Sequence, residues 1–373
     1  MAMSRQTNVH EAADWPSHGG QAAALLKRFG LPADHVVDDV SANLNPFGPP
    51  EWLAGWFGTR LGVLSRYPSP DYVAARQAIA AHNDVQPAQV LLTNGGAEAI
   101  FLAAALHASG RALLLAPSFG EYARACSAHR IEMTEHVLRE PHFACQMDDL
   151  LESAANADVV FLCRPNNPTG TLIAIEAVEA LLAHTQATGT QVVVDEAFID
   201  LSIGVEALTP LLKRYCHLVL LRSMTKFYTL PGLRLGYVLA AENLVDTMSR
   251  HQPPWSVNHF AAELVAPLLA DGEFAQLTRQ WLASEQPRLG KALQALGLEV
   301  VPSHSCFFLV RPSVLQRERG VTSADLFERM LYKGLLARHT HSFKGLEGSW
   351  LRLALRDEAT NNRLLKVLHD CLC

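Results

Sequence analysis

Short and almost purely apolar runs recur along the first two thirds of the chain and alternate with longer stretches of helical character. The runs show no polar alternation, which is typical of strands buried on both faces of a parallel sheet. A helical stretch at residues 97–106 directly follows the first run and its glycine-rich turn. This alternation predicts an α/β fold with a doubly wound, mostly parallel sheet. The predicted strands occupy residues 90–92, 112–116, 159–163, 191–194 and 218–221.

The last third of the chain has a different pattern. Residues 259 to about 296 predict one long helix, and three short strand signals at 298–301, 306–310 and 350–355 precede a terminal helix from about Asn361. Together these elements predict a smaller α+β domain, which the N-terminal residues are expected to join. The expected organisation is an N-terminal arm with part of the small domain at 1–50, a large domain at 51–275 and a C-terminal small domain at 276–373.

Composition and charge restrict the classes of function. A chain of 373 residues is long enough for roughly two domains. The formal net charge is −6, and its acidic and basic residues are interspersed, so no basic face for nucleic acid is expected. No helix-turn-helix or basic domain precedes the fold, which disfavours a regulator fused to a DNA-binding unit.

No apolar run approaches the roughly 18 residues that span a bilayer, and the start lacks an apolar signal core. We therefore expect a cytoplasmic protein without a membrane partner.

Two pairs of possible metal ligands stand two residues apart, Cys371 with Cys373 and His339 with His341. Two ligands without a second pair are more typical of a tail or a strand than of a metal centre. No metal site is expected.

The densest cluster of candidate chemistry surrounds Lys226, which follows the apolar run at 218–221. The lysine amine can form an imine with a cofactor aldehyde, and Ser223, Thr225 and Arg234 can donate to a phosphate group. The alternative for this segment alone is a surface lysine and a structural arginine, because short motifs produce false matches.

Two upstream segments favour the cofactor site. Asp195 ends a β-branched run, so a buried strand would deliver its carboxylate at the edge of the sheet, where a protonated pyridine nitrogen is a suitable partner. Asn167 stands in a loop with two prolines and a glycine, and its amide can donate to a phenolate oxygen of the ring.

The ordered motifs Asn-Asn-Pro-Thr-Gly, Asp-Glu-Ala-Phe and Ser-x-Thr-Lys with Gly-Leu-Arg-Leu-Gly resemble those of the fold-type I pyridoxal phosphate enzymes, aminotransferase class I/II. This resemblance implies the cofactor pyridoxal 5'-phosphate. It makes Lys226 the Schiff-base lysine, Asp195 the partner of the pyridine nitrogen and Asn167 the donor to the phenolate oxygen. The phosphate ligands that it implies are Ser223, Thr225, Arg234 and the backbone N–H groups of Gly96 and Ala97.

The same resemblance implies further contacts with the cofactor. Phe119 matches the aromatic residue that stacks on the ring, with Tyr122 as the reserve candidate. Tyr67 matches the tyrosine that reaches the phosphate of the partner subunit, which implies a homodimer with shared active sites. Phe198 stands where many relatives have the tyrosine of the Asp-Glu-Ala-Tyr motif, so the phenolate oxygen of the cofactor ring loses one donor.

The substrate is expected to be a phosphorylated amino acid. Arg352 matches the carboxylate-binding arginine of the family, and Arg356 is expected on the same strand face, where it can hold a second anionic group. His18 and Asn43 belong to the motifs His-Gly-Gly and Ser-Ala-Asn-x-Asn-Pro-x-Gly, and both are expected, together with Asn167, to bind substrate. With Pro-Trp-Ser-Val-Asn, these motifs resemble the threonine-phosphate decarboxylases of cobalamin synthesis, which implies decarboxylation of O-phospho-L-threonine. Histidinol-phosphate aminotransferases, which use 2-oxoglutarate, share several of the motifs and are the alternative.

Overall fold

The computed structural model describes residues 15–372, so the first part of the predicted arm and Cys373 lie outside the described residues. Within that range the strands are β1 (Asp38–Asp39), β2 (Val90–Thr93), β3 (Arg111–Ala116), β4 (Glu132–Val137), β5 (Val159–Cys163), β6 (Gln191–Asp195), β7 (Leu218–Ser223), β8 (Gly236–Ala240), β9 (Leu298–Val300), β10 (Phe307–Pro312), β11 (Leu335–Leu336), β12 (Arg338–His339) and β13 (Leu351–Ala354).

The α-helices connect and cover these strands. They are α1 (Ala22–Arg28), α2 (Leu53–Gly58), α3 (Val73–Asn83), α4 (Gly95–Ala105), α5 (Glu121–Ala128), α6 (Met147–Ala154), α7 (Ile175–Gln186), α8 (Met224–Phe227), α9 (Glu242–His251), α10 (His259–Ala270), α11 (Gly272–Ala295), α12 (Val314–Glu318), α13 (Ser323–Tyr332) and α14 (Glu358–Leu372). None of the helices in the described range is both long enough and apolar enough to cross a membrane.

The large sheet has seven strands in the order β2-β8-β7-β6-β5-β3-β4. β8 runs antiparallel to both of its neighbours, whereas the pairs from β7 to β4 are all parallel. Its central strands are buried on both faces: Val160 and Leu162 join one apolar cluster, while Val159 and Phe161 join another on the opposite face. This arrangement confirms the predicted α/β fold with a doubly wound, mostly parallel sheet.

A second, antiparallel sheet has the order β12-β13-β10-β9. β1 from the N-terminal part pairs in parallel with β11, which places Asp38 opposite Leu335. The N-terminal segment therefore packs with the C-terminal elements. The domain boundaries near residues 50 and 275 stay a prediction.

Several elements differ from the sequence-based expectation. The long helix predicted from residue 259 is wrong: Asp271 separates α10 from α11, because its side-chain Oδ1 accepts the backbone N–H of Phe274 at 2.9 Å and starts a new helix. β4 was not predicted, since this edge strand carries exposed charged residues and no apolar run. The terminal helix begins at Glu358, three residues earlier than predicted, because Asp357 accepts the backbone N–H of Thr360 at 3.0 Å.

Candidate active site

The carboxyl ends of three neighbouring parallel strands bring the central candidates together. Asp195 is the last residue of β6, Asn167 follows β5 in a short loop, and Lys226 lies in α8, directly after β7. The strand register sets Asp195 beside Cys163 on one side and Leu221 on the other. Ligands of open α/β sheets bind at this edge, beyond the carboxyl ends of the strands.

A cavity of about 730 Å³ opens at this edge of the sheet. It collects most of the side chains that the sequence analysis selected. The predicted cofactor residues that line it are Gly96, Ala97, Phe119, Asn167, Asp195, Ser223, Thr225, Lys226 and Arg234. The predicted substrate residues that line it are His18, Asn43, Asn167 and Arg352.

Lys226 carries an amine that is unusually acidic for a lysine. Burial, followed by the positive charges of Arg352 and Arg234, lowers the pKa of Lys226 to about 8. Close to physiological pH a much larger fraction of this amine is therefore neutral than of an ordinary lysine amine. The neutral amine is the form that attacks an aldehyde, so this residue suits imine chemistry.

Asp195 presents a buried carboxylate to the same cavity. Its Oδ2 accepts a hydrogen bond from Tyr122 Oη at 2.7 Å, and its Oδ1 accepts from the backbone N–H of Ala197 at 2.9 Å. Burial raises the pKa of Asp195, although both hydrogen bonds and the charge of Lys226 oppose that rise. A cationic ring nitrogen would add the partner that a buried carboxylate requires.

An anion cradle lies at the amino end of α4. Gly95 has a φ of +79°, and a Cβ at this position would lie 2.7 Å from Arg234 Nη2. Glycine therefore permits the guanidinium to approach the helix start, where free backbone N–H groups favour an anion. Ser223 and Thr225 line the same cavity and add hydroxyl groups.

These three features fit a phosphorylated pyridine aldehyde. The amine of Lys226 suits the aldehyde, the carboxylate of Asp195 suits the ring nitrogen, and the cradle around Arg234 suits the phosphate. A residue with a Cβ at position 95 would clash with the guanidinium of Arg234, so this arrangement of the cradle requires glycine there.

Asn167 and Phe119 also line the cavity. Arg352 donates to Asn167 Oδ1, which leaves the amide N–H₂ group as the donor for another acceptor. Phe119 is half-buried, with its ring centroid 5.8 Å from that of His18. Tyr122, the reserve candidate for stacking, is buried behind the cavity wall, and its ring stacks on Phe161 at 5.8 Å.

Arg338, which no sequence pattern predicted as a site residue, lies in β12 directly opposite Arg352 of β13. Both guanidinium groups are buried, and both side chains line the cavity. Burial lowers the pKa of Arg338 to about 10 and that of Arg352 to about 9. Neither forms an ion pair with a carboxylate within residues 15–372. Like charges opposite each other on paired strands are destabilising, so the pair favours an anionic ligand.

Arg338 also holds the segment that precedes α1. It donates to the backbone carbonyls of Pro16 at 2.9 Å and Ser17 at 2.6 Å, and to Ser342 Oγ at 2.7 Å. No local motif marks Arg338 in the sequence. Its position opposite Arg352 depends on strand pairing that only the folded chain reveals.

His18 and Asn43 reach the cavity from the N-terminal part of the chain. His18 Nε2 lies 3.1 Å from the buried Glu121 Oε1, an acidic neighbour that the sequence analysis did not select. Asn43 is buried, and neither its Nδ2 nor its Oδ1 has a hydrogen-bond partner among the described residues. An unpaired buried amide costs about 1–3 kcal/mol, which favours a ligand that uses it.

Two predicted residues are not among those that line the cavity. Tyr67 is 78 % exposed and its ring lies 4.7 Å from that of Trp255, so its contact with a partner subunit stays a prediction. Arg356 follows β13, which ends at Ala354, so strand alternation does not by itself align it with Arg352, and its role in substrate binding stays a prediction. Its guanidinium makes a long, 3.4 Å contact with the carbonyl of Leu44.

Comparisons with known proteins agree with this geometry. Residues 59–368 match the family model Aminotransferase class I and II. The chain is 36% identical to the threonine-phosphate decarboxylase of Salmonella typhimurium, over 95% of this chain and 96% of that protein.

Two solved structures have the same fold. The L-threonine-O-3-phosphate decarboxylase of Porphyromonas gingivalis has a TM-score of 0.77 and 29% identity, covering 89% of this chain and 98% of that one. The histidinol-phosphate aminotransferase of Clostridium acetobutylicum has a TM-score of 0.84 and 26% identity, with the same coverage of both chains. Because the family match spans most of the sequence and the cavity carries the matching groups, the chain belongs to the pyridoxal phosphate-dependent enzymes of aminotransferase class I and II.

Proposed function

We propose that the protein is a carboxy-lyase that converts O-phospho-L-threonine to (R)-1-amino-2-propanol O-phosphate and carbon dioxide, as a step of cobalamin biosynthesis. The similarity to the Salmonella typhimurium decarboxylase, over nearly the whole length of both chains, supports the reaction class. The observation that carries the substrate class is the pair Arg338 and Arg352, two buried guanidinium groups in opposite register positions at the cavity.

The arginine pair suits a substrate with two anionic groups. O-phospho-L-threonine has a carboxylate on Cα and a phosphate on the adjacent carbon. Planar guanidinium groups bind both kinds of anion through paired hydrogen bonds. Asn43, with its unpaired amide, and His18, which stands beside Glu121, are the further polar groups that we assign to the substrate.

Orientation of the substrate decides which bond breaks. Bound pyridoxal phosphate supplies an electron sink for the bond at Cα that stands perpendicular to its ring plane. Arg338 and Arg352 would anchor the carboxylate and phosphate in fixed directions and thereby select that bond. Lys226, with a pKa of about 8, can exchange a proton at Cα near neutral pH. Arg338 and Arg352 would therefore select the bond that breaks, and Lys226 would transfer the proton at Cα.

The alternative is an aminotransferase that acts on histidinol phosphate with 2-oxoglutarate. The similarity in fold to the Clostridium acetobutylicum enzyme supports it, since its TM-score exceeds that of the decarboxylase structure. Histidinol phosphate carries a phosphate and 2-oxoglutarate carries two carboxylates, so the same arginine pair would suit each of them in turn.

The two reactions differ in their need for a second substrate. The purified holoenzyme is incubated with O-phospho-L-threonine alone. The amount of carbon dioxide released is compared with the amount of enzyme, which gives the number of turnovers. We expect many turnovers without any 2-oxo acid, and a far lower rate with L-threonine, because the missing phosphate no longer orients the carboxylate. An aminotransferase would stop after one half-reaction. Consumption of histidinol phosphate that depends on 2-oxoglutarate would replace the decarboxylase proposal with the alternative.

We further propose a homodimer with shared active sites. Leu61, Leu64, Tyr67 and Trp255 are 60 %, 65 %, 78 % and 45 % exposed, which is unusual for large apolar side chains. Tyr67 and Trp255 contact each other through their rings, so at least these two form one apolar patch. A second copy of the chain that covers this patch would bring Tyr67 towards the phosphate site of its neighbour.

A further inference from the structure

Tyr122 is held rigidly behind the cofactor cavity. Its side chain is 1 % exposed, its ring stacks on Phe161 with an interplanar angle of 18°, and its edge meets Phe119 at a centroid distance of 6.0 Å. From this fixed position its hydroxyl donates to Asp195 Oδ2 at 2.7 Å. The tyrosine contacts the carboxylate from behind the cavity wall.

The hydroxyl of Tyr122 is a permanent donor in this contact. Burial and the charge of Asp195 raise its pKa well above the ordinary value, so the O–H group stays protonated throughout the working pH range. Asp195 has one further donor within the described part of the chain, the backbone N–H of Ala197. Loss of the tyrosine hydroxyl would leave the buried carboxylate with that single hydrogen bond.

We propose that Tyr122 is a positioning residue that keeps Asp195 ionised and aimed, so that the shared proton resides on the pyridine nitrogen of the cofactor. A buried carboxylate with fewer donors binds a proton more strongly, because each hydrogen bond to the charged form favours that form. Without Tyr122 the carboxylate would compete for the proton of the ring. The inference rests on the cofactor assignment and is independent of the reaction that the enzyme catalyses.

The test measures the location of the proton directly. The apoenzyme is loaded with pyridoxal phosphate in which the ring nitrogen is the NMR-active isotope. The chemical shift of this nitrogen is recorded for the wild type, for Tyr122→Phe and for Tyr228→Phe. The control also loses one buried tyrosine hydroxyl, but that group donates to the carbonyl of Leu268 and does not contact Asp195.

We expect the nitrogen signal of Tyr122→Phe to move towards that of unprotonated pyridine, and that of Tyr228→Phe to stay at the wild-type position. The dissociation constant of the cofactor should rise about tenfold in Tyr122→Phe, as for the loss of one hydrogen bond to a charged group. An unchanged nitrogen signal in folded Tyr122→Phe would overturn the proposal. A wild-type signal that never shows a protonated ring would instead refute the pairing with Asp195 on which it rests.

Two unnatural side chains at position 122 keep the test decisive if the phenylalanine variant does not fold. Para-aminophenylalanine retains an N–H donor, and para-methylphenylalanine fills the same space without one. The amino variant should keep the nitrogen signal near the wild-type position, and the methyl variant should not. Equal signals from these two proteins would show that the ring of Tyr122, and not its donor, is what matters.

Discussion

Replacement of Arg352 by glutamine should lower kcat/KM for O-phospho-L-threonine strongly. The guanidinium lines the cavity, is 6 % exposed, and has an Nε atom without a hydrogen-bond partner in the described range. Its pKa is lowered by burial, which means that the charge is poorly solvated and gains much from an anionic ligand. A charge-assisted hydrogen bond at such a site is worth about 3 kcal/mol, so the expected loss is roughly a hundredfold.

Arg356 provides the matched comparison, since it carries the same charge four residues further along. Its guanidinium does not line the cavity and makes one long contact to a carbonyl. Arg356→Gln should therefore change kcat/KM by no more than about twofold, as for a peripheral substitution. Both variants are assayed by initial rates of carbon dioxide release, with thermal unfolding measured alongside because Arg352 also donates to Asn167 and to the carbonyl of Ser41.

The result that would refute this reasoning is a larger loss in Arg356→Gln than in Arg352→Gln at comparable thermal stability. The substrate would then reach Arg356, as the sequence pattern predicted, and the cavity would not be the substrate site. A loss in both variants that tracks a lower melting temperature would point to stability and not to binding.

Three further predictions concern the cofactor residues and assembly. Asp195→Asn should bind pyridoxal phosphate yet lose activity by orders of magnitude, since a neutral amide cannot hold the proton of the ring; near-wild-type turnover would assign that role to another residue. Because the pKa of Lys226 is about 8, the rate at which apoenzyme captures pyridoxal phosphate should rise with pH through 8 and then level off, whereas a rise that continues towards 10.5 would indicate an ordinary lysine. Mixing inactive Lys226→Ala with a Tyr67→Phe variant should raise the activity above that of either protein alone if Tyr67 acts across the subunit boundary, because one site of the mixed dimer then has both Lys226 and Tyr67; a monomer in sedimentation experiments would exclude this.

The sequence alone determined the fold class and the centre of the site. Strands buried on both faces are continuous apolar runs, so they stand out without knowledge of their partners. Asp195, Asn167 and Lys226 could be selected because Asp195 ends its strand and the other two follow theirs within a few residues. The order of these motifs along the chain was enough to predict the family, which the family match confirms.

Only the tertiary structure decided which groups meet across long separations. The opposition of Arg338 and Arg352 depends on antiparallel register, and the contact of Tyr122 with Asp195 depends on how α5 packs against the sheet. Local alternation could not place Arg356, because β13 ends at Ala354 and strand ends depend on hydrogen-bonded partners. Local sequence specifies which side chain follows an element, but pairing and packing specify its neighbours.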